Sequence, residues 1–451
     1  MDNKDSINVN LNNDSDAVLP EESKHSHHHS SEHRHSHHHH HSHHRRSNSK
    51  KEKTKRFLKR NKYKLANGFV VILFVTVLVI MGVALDNISK TGGEKTNAGE
   101  DMIVETESTI HIEIPFFDNP VSIAGAAVTE YINSDINTSA YDIYKKYAAY
   151  GQLDKGIPVT LSYSVKGIPD GYSVKSAELF VSENDKFTDS AVYNLSAEET
   201  SVDVYNLKAD TQYYYKFTLN ISKGIQTSAE GSFFTADTPR MLNVDGVNNI
   251  RDFGGWSAFG DKKIKQGLLF RSAEIDGAVE PKHKITPEGV NTLLTVIGIR
   301  TEMDLRHQSD NPSNINMLGV GVEHNYYGVP MYSEVFSDKG KASIRRIFAD
   351  LADESNYPVL LHCTHGMDRT GTVCYLLGAV LGMSEEDLMK DYQLSAMYHG
   401  DLWGENRMNE FIGQLKSYEG LTIQKKAENY LLSAGVTPDE INSIREIYLE
   451  K

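Results

Sequence analysis

Apolar and polar positions along the chain fall into three regimes. Residues 68–85 pass without a charge and are rich in Val, Leu, Ile and Phe. At 1.5 Å per residue they would make about 27 Å of helix, close to the thickness of a bilayer core. The run predicts one transmembrane helix over 65–86. From residue 157 the pattern changes to short alternating stretches at 159–165, 177–181, 201–207, 213–219 and 231–235, with turn residues between them. Period-two alternation at this spacing predicts an all-β sandwich. From Asn243 to the end, short apolar runs alternate with longer helical patterns, which predicts a C-terminal three-layer α/β domain over 241–451.

Capping signals sharpen that last domain. Thr286-Pro287 and Thr437-Pro438-Asp439-Glu440 each place a cap residue before a proline at the first helical position, and the second is also a capping box. Ser384 with Asp387 is a weaker version. Further upstream, 109–114 reads as strand and 141–150 as a short helix, an N-terminal extension of the sandwich that together with it spans 108–238.

Charge gives the predicted span a direction. Residues 45–64 hold eleven Lys or Arg against the single acid Glu52, and cytoplasmic flanks carry that excess. The expectation is a single-pass cell-membrane protein with its N-terminus cytoplasmic and its C-terminal α/β domain extracytoplasmic. The whole chain carries −14 although its N-terminal part is basic, so the remainder is more acidic still. That balance excludes nucleic acid as a ligand. Residues 1–64 are polar at first, then basic, and include thirteen histidines between His25 and His44. Such a composition cannot bury a core, so a disordered tail is expected, with 87–107 as a linker beyond the membrane. Imidazole suits Zn, Cu and Ni, which makes metal ions a candidate partner of the tail; the alternative is a plain solvated segment.

The chemistry concentrates in residues 362–371, His-Cys-Thr-His-Gly-Met-Asp-Arg-Thr-Gly. An apolar run at 357–361 would enter this segment as a buried strand, and 370–381 would leave it as a buried helix. A helix start aims free backbone N–H groups at the loop and binds phosphate. The same field favours thiolate over thiol, so Cys363 is the candidate nucleophile. Arg369 offers a planar fork of donors for two phosphate oxygens. Thr364, His365, Gly366, Met367 and Thr370 would line the phosphate cradle, with Gly366 allowing a tight turn and close approach of the main chain.

These ten residues resemble the Cys-x5-Arg signature loop of the bacterial protein tyrosine and dual-specificity phosphatases. Asn249-Ile250-Arg251-Asp252-Phe253-Gly254-Gly255, Leu269-Phe270-Arg271-Ser272-Ala273 and Asp304-Leu305-Arg306 are similar to further motifs of that family, in the same order. The resemblance implies a phosphocysteine mechanism that needs no metal or other cofactor, with Asp368 protonating the leaving oxygen. Asp338, in a Gly- and Ser-containing stretch that would serve as a mobile acid loop, is the alternative acid. His362 would support the loop, and Asp304 and Arg251 would line the site or brace it. The family's lysine before Asp-Arg is Met367 here. In the lipid-phosphatase branch basic loop residues hold inositol phosphates, so this departure turns the expectation toward a phosphorylated protein or small phosphomonoester. An inositol-phosphate phosphatase is one alternative, and a catalytically weak phospho-ligand-binding or adhesion protein is another. In the sandwich, residues 207–217 resemble the fibronectin type III stretch in which Tyr213 would bond back to the main chain.

Overall fold

A computed structural model describes residues 110–135, 137–237, 239–311 and 315–451. Its all-β unit contains β1 (His111–Glu113), β2 (Val159–Ser162), β3 (Ser164–Lys166), β4 (Val174–Ser182), β5 (Ala191–Ser196), β6 (Ser201–Val204), β7 (Gln212–Ile221) and β8 (Ile225–Phe234). One antiparallel sheet has the order β5-β4-β7-β8, while β2 pairs with β6 and β1 with β3. Alternate residues of β7, from Tyr213 through Tyr215 and Phe217 to Leu219, are buried. They share one core with Leu179 of β4, Leu161 of β2 and Val204 of β6. The period-two pattern therefore does what it implies, giving each sheet one apolar face turned to the other. Before β7 the Tyr213 hydroxyl accepts the Lys208 N–H at 2.9 Å and pins the corner.

Two helices precede β2 in the chain, α1 (Ala126–Asn133) and α2 (Ala140–Tyr147). They pack away from the sandwich core. Val128, Tyr131 and Ile143 belong to the same apolar cluster as the C-terminal α/β domain. Tyr131 donates to Gln393 Oε1 at 2.5 Å, and Lys390 Nζ donates to the Ile132 and Ser134 carbonyls at 3.1 and 3.0 Å. By packing, this segment is part of the α/β domain.

That domain runs β9 (Arg251–Asp252), β10 (Leu269–Ser272), α3 (Pro287–Asn291), β11 (Thr301–Asp304), β12 (Glu323–Tyr326), α4 (Asp338–Leu351), β13 (Val359–His362), α5 (Asp368–Leu381), α6 (Glu385–Gln393), α7 (Ala396–His399), α8 (Glu405–Leu415), α9 (Ile423–Ser433) and α10 (Pro438–Tyr448). The sheet order is β12-β11-β13-β10-β9, parallel except for β9. Along central β13, Val359 and Leu361 enter one core with α5, whereas Leu360 enters another with Phe270 and Leu293. A strand buried on both faces puts the sheet between two helical layers. The caps form as their residues imply: Thr286 accepts the Gly289 N–H at 3.1 Å, Ser384 accepts the Asp387 N–H at 3.0 Å, and Thr437 and Glu440 form the reciprocal box.

The expected architecture needs one correction. Among the described residues no helix is long and apolar enough to cross a membrane. The longest, α4 and α5, have 14 residues each, about 21 Å at 1.5 Å per residue, where a span needs about 20 residues. The apolar α5 is buried inside the α/β domain. The transmembrane expectation at 65–86, the tail at 1–64 and the linker at 87–107 lie outside the described residues.

Candidate active site

Strand β13 pairs in parallel with β10 and β11, with His362 in register with Ser272 and Asp304. Cys363 thus emerges at the carboxyl end of the central strand, between two neighbours that end at the same level. In open α/β sheets that edge is where ligands bind. Cys363 is buried, and five residues later α5 begins at Asp368. Gly366 makes the intervening turn at φ +70°, where a Cβ would stand 2.4 Å from the Ser272 carbonyl oxygen. Only glycine allows both the angle and the approach.

The loop carbonyls are drawn away from its hollow. The Thr364 carbonyl accepts the Glu274 N–H at 3.2 Å and lies 3.1 Å from His283 Nδ1. The His365 carbonyl accepts Asn249 Nδ2 at 3.1 Å and His399 Nε2 at 2.9 Å, and the Gly366 carbonyl accepts Arg271 Nη2 at 2.9 Å. The N–H groups of 364–370 find no acceptor among the described residues. A peptide turned carbonyl-out presents its N–H inward, so the loop is a nest for an anion.

Buried charge holds those donors in place. Asp391 is shared between Arg251, whose Nε lies 3.2 Å from Oδ1, and Arg271, which bonds Oδ2. Arg251 also reaches Asn249 Oδ1 at 2.7 Å. It therefore braces the loop's supports and lies behind them. Asp252 instead pairs with Arg240 at 3.0 Å and accepts the Gly254 and Gly267 N–H groups at 2.8 and 2.7 Å, none of them a donor to the loop. On the other side Arg306 binds Asp304 Oδ1 at 2.9 Å, Asp276 Oδ2 at 2.7 Å and the Glu274 carboxylate. Burial alone would raise the pKa of Asp304; His362, His324 and Arg306 outweigh it and hold this carboxyl well below the usual range. His362, fully enclosed, bonds Glu302 Oε1 at 2.9 Å. Burial works against its charge, but Asp304 and Glu302 keep its pKa above the ordinary 6.5. It is a support under the loop with no access to solvent.

Around the hollow, Arg369 is 12 % exposed, with Nη1 3.5 Å from Asp310 Oδ2. Asp368 accepts the Tyr332 hydroxyl on Oδ1. Its Oδ2 accepts nothing among the described residues, and the residue keeps 8 % exposure. Asp338 is elsewhere: exposed in the first turn of α4 behind the Ser337 cap, it complements a helix start and sits on no loop. Thr364, Met367 and Thr370 are buried, and Met367 packs into the apolar core. Burial pushes the Cys374 thiol on α5 up to about 12, which leaves it an inert core residue.

An aromatic rim stands over the loop. The His365 ring lies 5.9 Å from His283, 5.4 Å from His399 and 5.3 Å from Trp403, whose indole is half exposed. Burial, with neighbouring imidazoles, lowers His283 and His399 to about 4, and burial also lowers His365. These rings are neutral at pH 7. The sequence had placed Asn249 and Arg271 inside quoted motifs without a role; Asp310, Tyr332, His399 and Trp403 carried no motif at all.

Residues 242–450 match the tyrosine phosphatase family model. A Cupriavidus necator protein named as a tyrosine-protein phosphatase is 25 % identical over 179 residues, 34 % of this chain and 61 % of that protein. A Nostoc commune tyrosine-protein phosphatase is 22 % identical over 126 residues, 23 % of this chain and 43 % of its own. The match therefore spans less than two thirds of these relatives' length. Among solved structures, the core catalytic domain of the PP-IP phosphatase SIW14 from S. cerevisiae, in complex with citrate, aligns at 15 % identity over 37 % of this chain and 93 % of that one, with a TM-score of 0.25. A second Siw14 catalytic core aligns at 13 % identity over 42 % and 95 %, with a TM-score of 0.26. The stretch 242–450, which carries Cys363 and Arg369 at the two ends of one nest of backbone donors, is therefore the part of this chain that is similar to tyrosine phosphatases.

Proposed function

We propose that the protein is a cysteine-dependent phosphomonoesterase acting on phosphotyrosine, or on a similar phosphorylated alcohol, in proteins. The observation that carries this reading is the loop between Cys363 and Arg369, whose carbonyls at 364–366 are all taken by other segments while the N–H groups of 364–370 meet no acceptor among the described residues. The Cys363 thiolate attacks phosphorus, the P–O bond to the leaving group breaks, and Asp368 delivers its proton to that oxygen. The loop N–H groups and Arg369 hold the three remaining oxygens through the transition state. Water then attacks phosphorus, Asp368 takes its proton, and the P–S bond breaks to regenerate the thiolate.

The surroundings favour a single phosphate on an aryl group. Met367 is sealed in the core, Thr364 is neutral, and His365 is held uncharged by burial, so Arg369 is the loop's one cation. The half-exposed Trp403 beside neutral imidazoles gives a flat wall for a ring, where a densely phosphorylated ring would need positive charge.

The test is hydrolysis by the reduced full chain of a phosphotyrosine peptide, an aryl phosphate and inositol phosphates, beside Cys363→Ser. The peptide should be turned over best, and the serine variant should fall by at least about 10³-fold. Turnover surviving in the serine variant sinks the mechanism, and preference for inositol phosphates sinks the substrate class.

A further inference from the structure

We propose that Tyr332 is a positioning residue for the general acid, fixing Asp368 so that Oδ2 alone carries and receives the transferable proton. The inference rests on the Asp368 assignment above. The Tyr332 hydroxyl donates to Asp368 Oδ1 and stands 3.0 Å from the Tyr392 hydroxyl, with all three groups buried. A carboxylic acid whose Oδ1 accepts a hydrogen bond keeps its own proton on Oδ2, the oxygen with no partner among the described residues. The same bond restricts rotation of the carboxyl, which is what proton delivery along one line requires.

Three independent features show that the contact is held in place. Tyr332 has φ +50°, a left-handed backbone that bulky residues rarely adopt and that persists only where the surroundings impose it. The Arg407 guanidinium lies 5.3 Å over its ring. Gly404 closes the chain over the pair: a Cβ there would stand 1.8 Å from the Tyr332 oxygen and 2.6 Å from Asp368 Oδ1. Burial, with Asp368 and Tyr392 beside it, raises the Tyr332 hydroxyl far above its ordinary pKa of 10. It therefore keeps its proton through both steps; the proton that moves belongs to Asp368.

Tyr332→Phe removes the hydroxyl and leaves the ring. In the full chain, kcat/KM for phenyl phosphate, which reports the step in which the poor leaving oxygen is protonated, should fall about tenfold, while kcat/KM for p-nitrophenyl phosphate stays within about twofold. Equal losses on both substrates, or none, overturn the proposal. The cycle is completed by Asp368→Asn and the double variant. A double variant no slower than Asp368→Asn on phenyl phosphate supports positioning, and a further tenfold loss overturns it. If Asp368→Asn itself shows no leaving-group dependence, the acid assignment fails and Tyr332 falls with it. If Asp368→Asn shows the dependence and Tyr332→Phe does not, only the present inference is lost.

Discussion

On β7, alternate side chains from Tyr213 to Leu219 point into one apolar core, and the corner before it is pinned by a hydroxyl only five residues from its partner. In the signature loop the three consecutive carbonyls of 364–366 are taken by Glu274, His283, Asn249, His399 and Arg271, contributed by distant segments. The sandwich is stabilised by area removed from water, which tolerates local change. The loop is stabilised by a buried polar network, in which each missing partner strands another. Shape in the first region is distributed; in the second it is concentrated in a few charges.

The contrast can be broken at its strongest point by Asp391→Ala. Two buried guanidinium groups, Arg251 and Arg271, would lose their carboxylate. Stability of the α/β domain should drop by about 3–5 kcal/mol, read by urea unfolding. A loss under 1 kcal/mol would show that the loop does not depend on this pair. Asn249→Ala is a narrower cut, leaving the His365 carbonyl with His399 alone; about 1–3 kcal/mol and a fall in kcat should accompany it. In the sandwich, Tyr213→Phe should cost about 0.5–1.5 kcal/mol with kcat unchanged. A matching fall in kcat there would mean that the two regions are not energetically separate.

The smallest effect concerns pH. His283 and His399 are held near 4 in the fold by burial, below the ordinary 6.5. Between those values the unfolded chain binds protons that the folded chain does not. Stability should therefore decline as pH falls from about 6.5 toward about 4, and the slope should be shallower in His399→Gln. An unchanged slope in that variant would remove His399 from the linkage.

Legibility followed the same division. Alternation located β4, β6, β7 and β8 closely enough to predict two sheets, though β8 begins at Ile225, earlier than 231, and β5 was missed because its residues are mostly exposed. The strand and helix around Cys363 were readable, the helix starting two residues earlier than the apolar run. Arg251 and Asp304 were quoted with open roles, and packing gave them bracing ones. Asp338 looked like a loop residue because Ser337 and Gly340 beside it are poor formers of a helix interior; Ser337 is in fact the cap of α4. Helices α1 and α2 could not be assigned to the α/β domain from sequence, since an amphipathic face does not say which core it meets.

By itself the sequence determined what depends on local period and short spacing: the alternating strands, the capped helices, and one cysteine and one arginine at either end of a glycine-turned loop. Tertiary structure alone decided what holds that loop. The donors to the His365 carbonyl lie 34 and 116 residues away and the donor to the Gly366 carbonyl lies 95 away, and the hydroxyl on Asp368 comes from 36 residues upstream. No local preference encodes such pairings, because each exists only once burial has removed water as the competing partner.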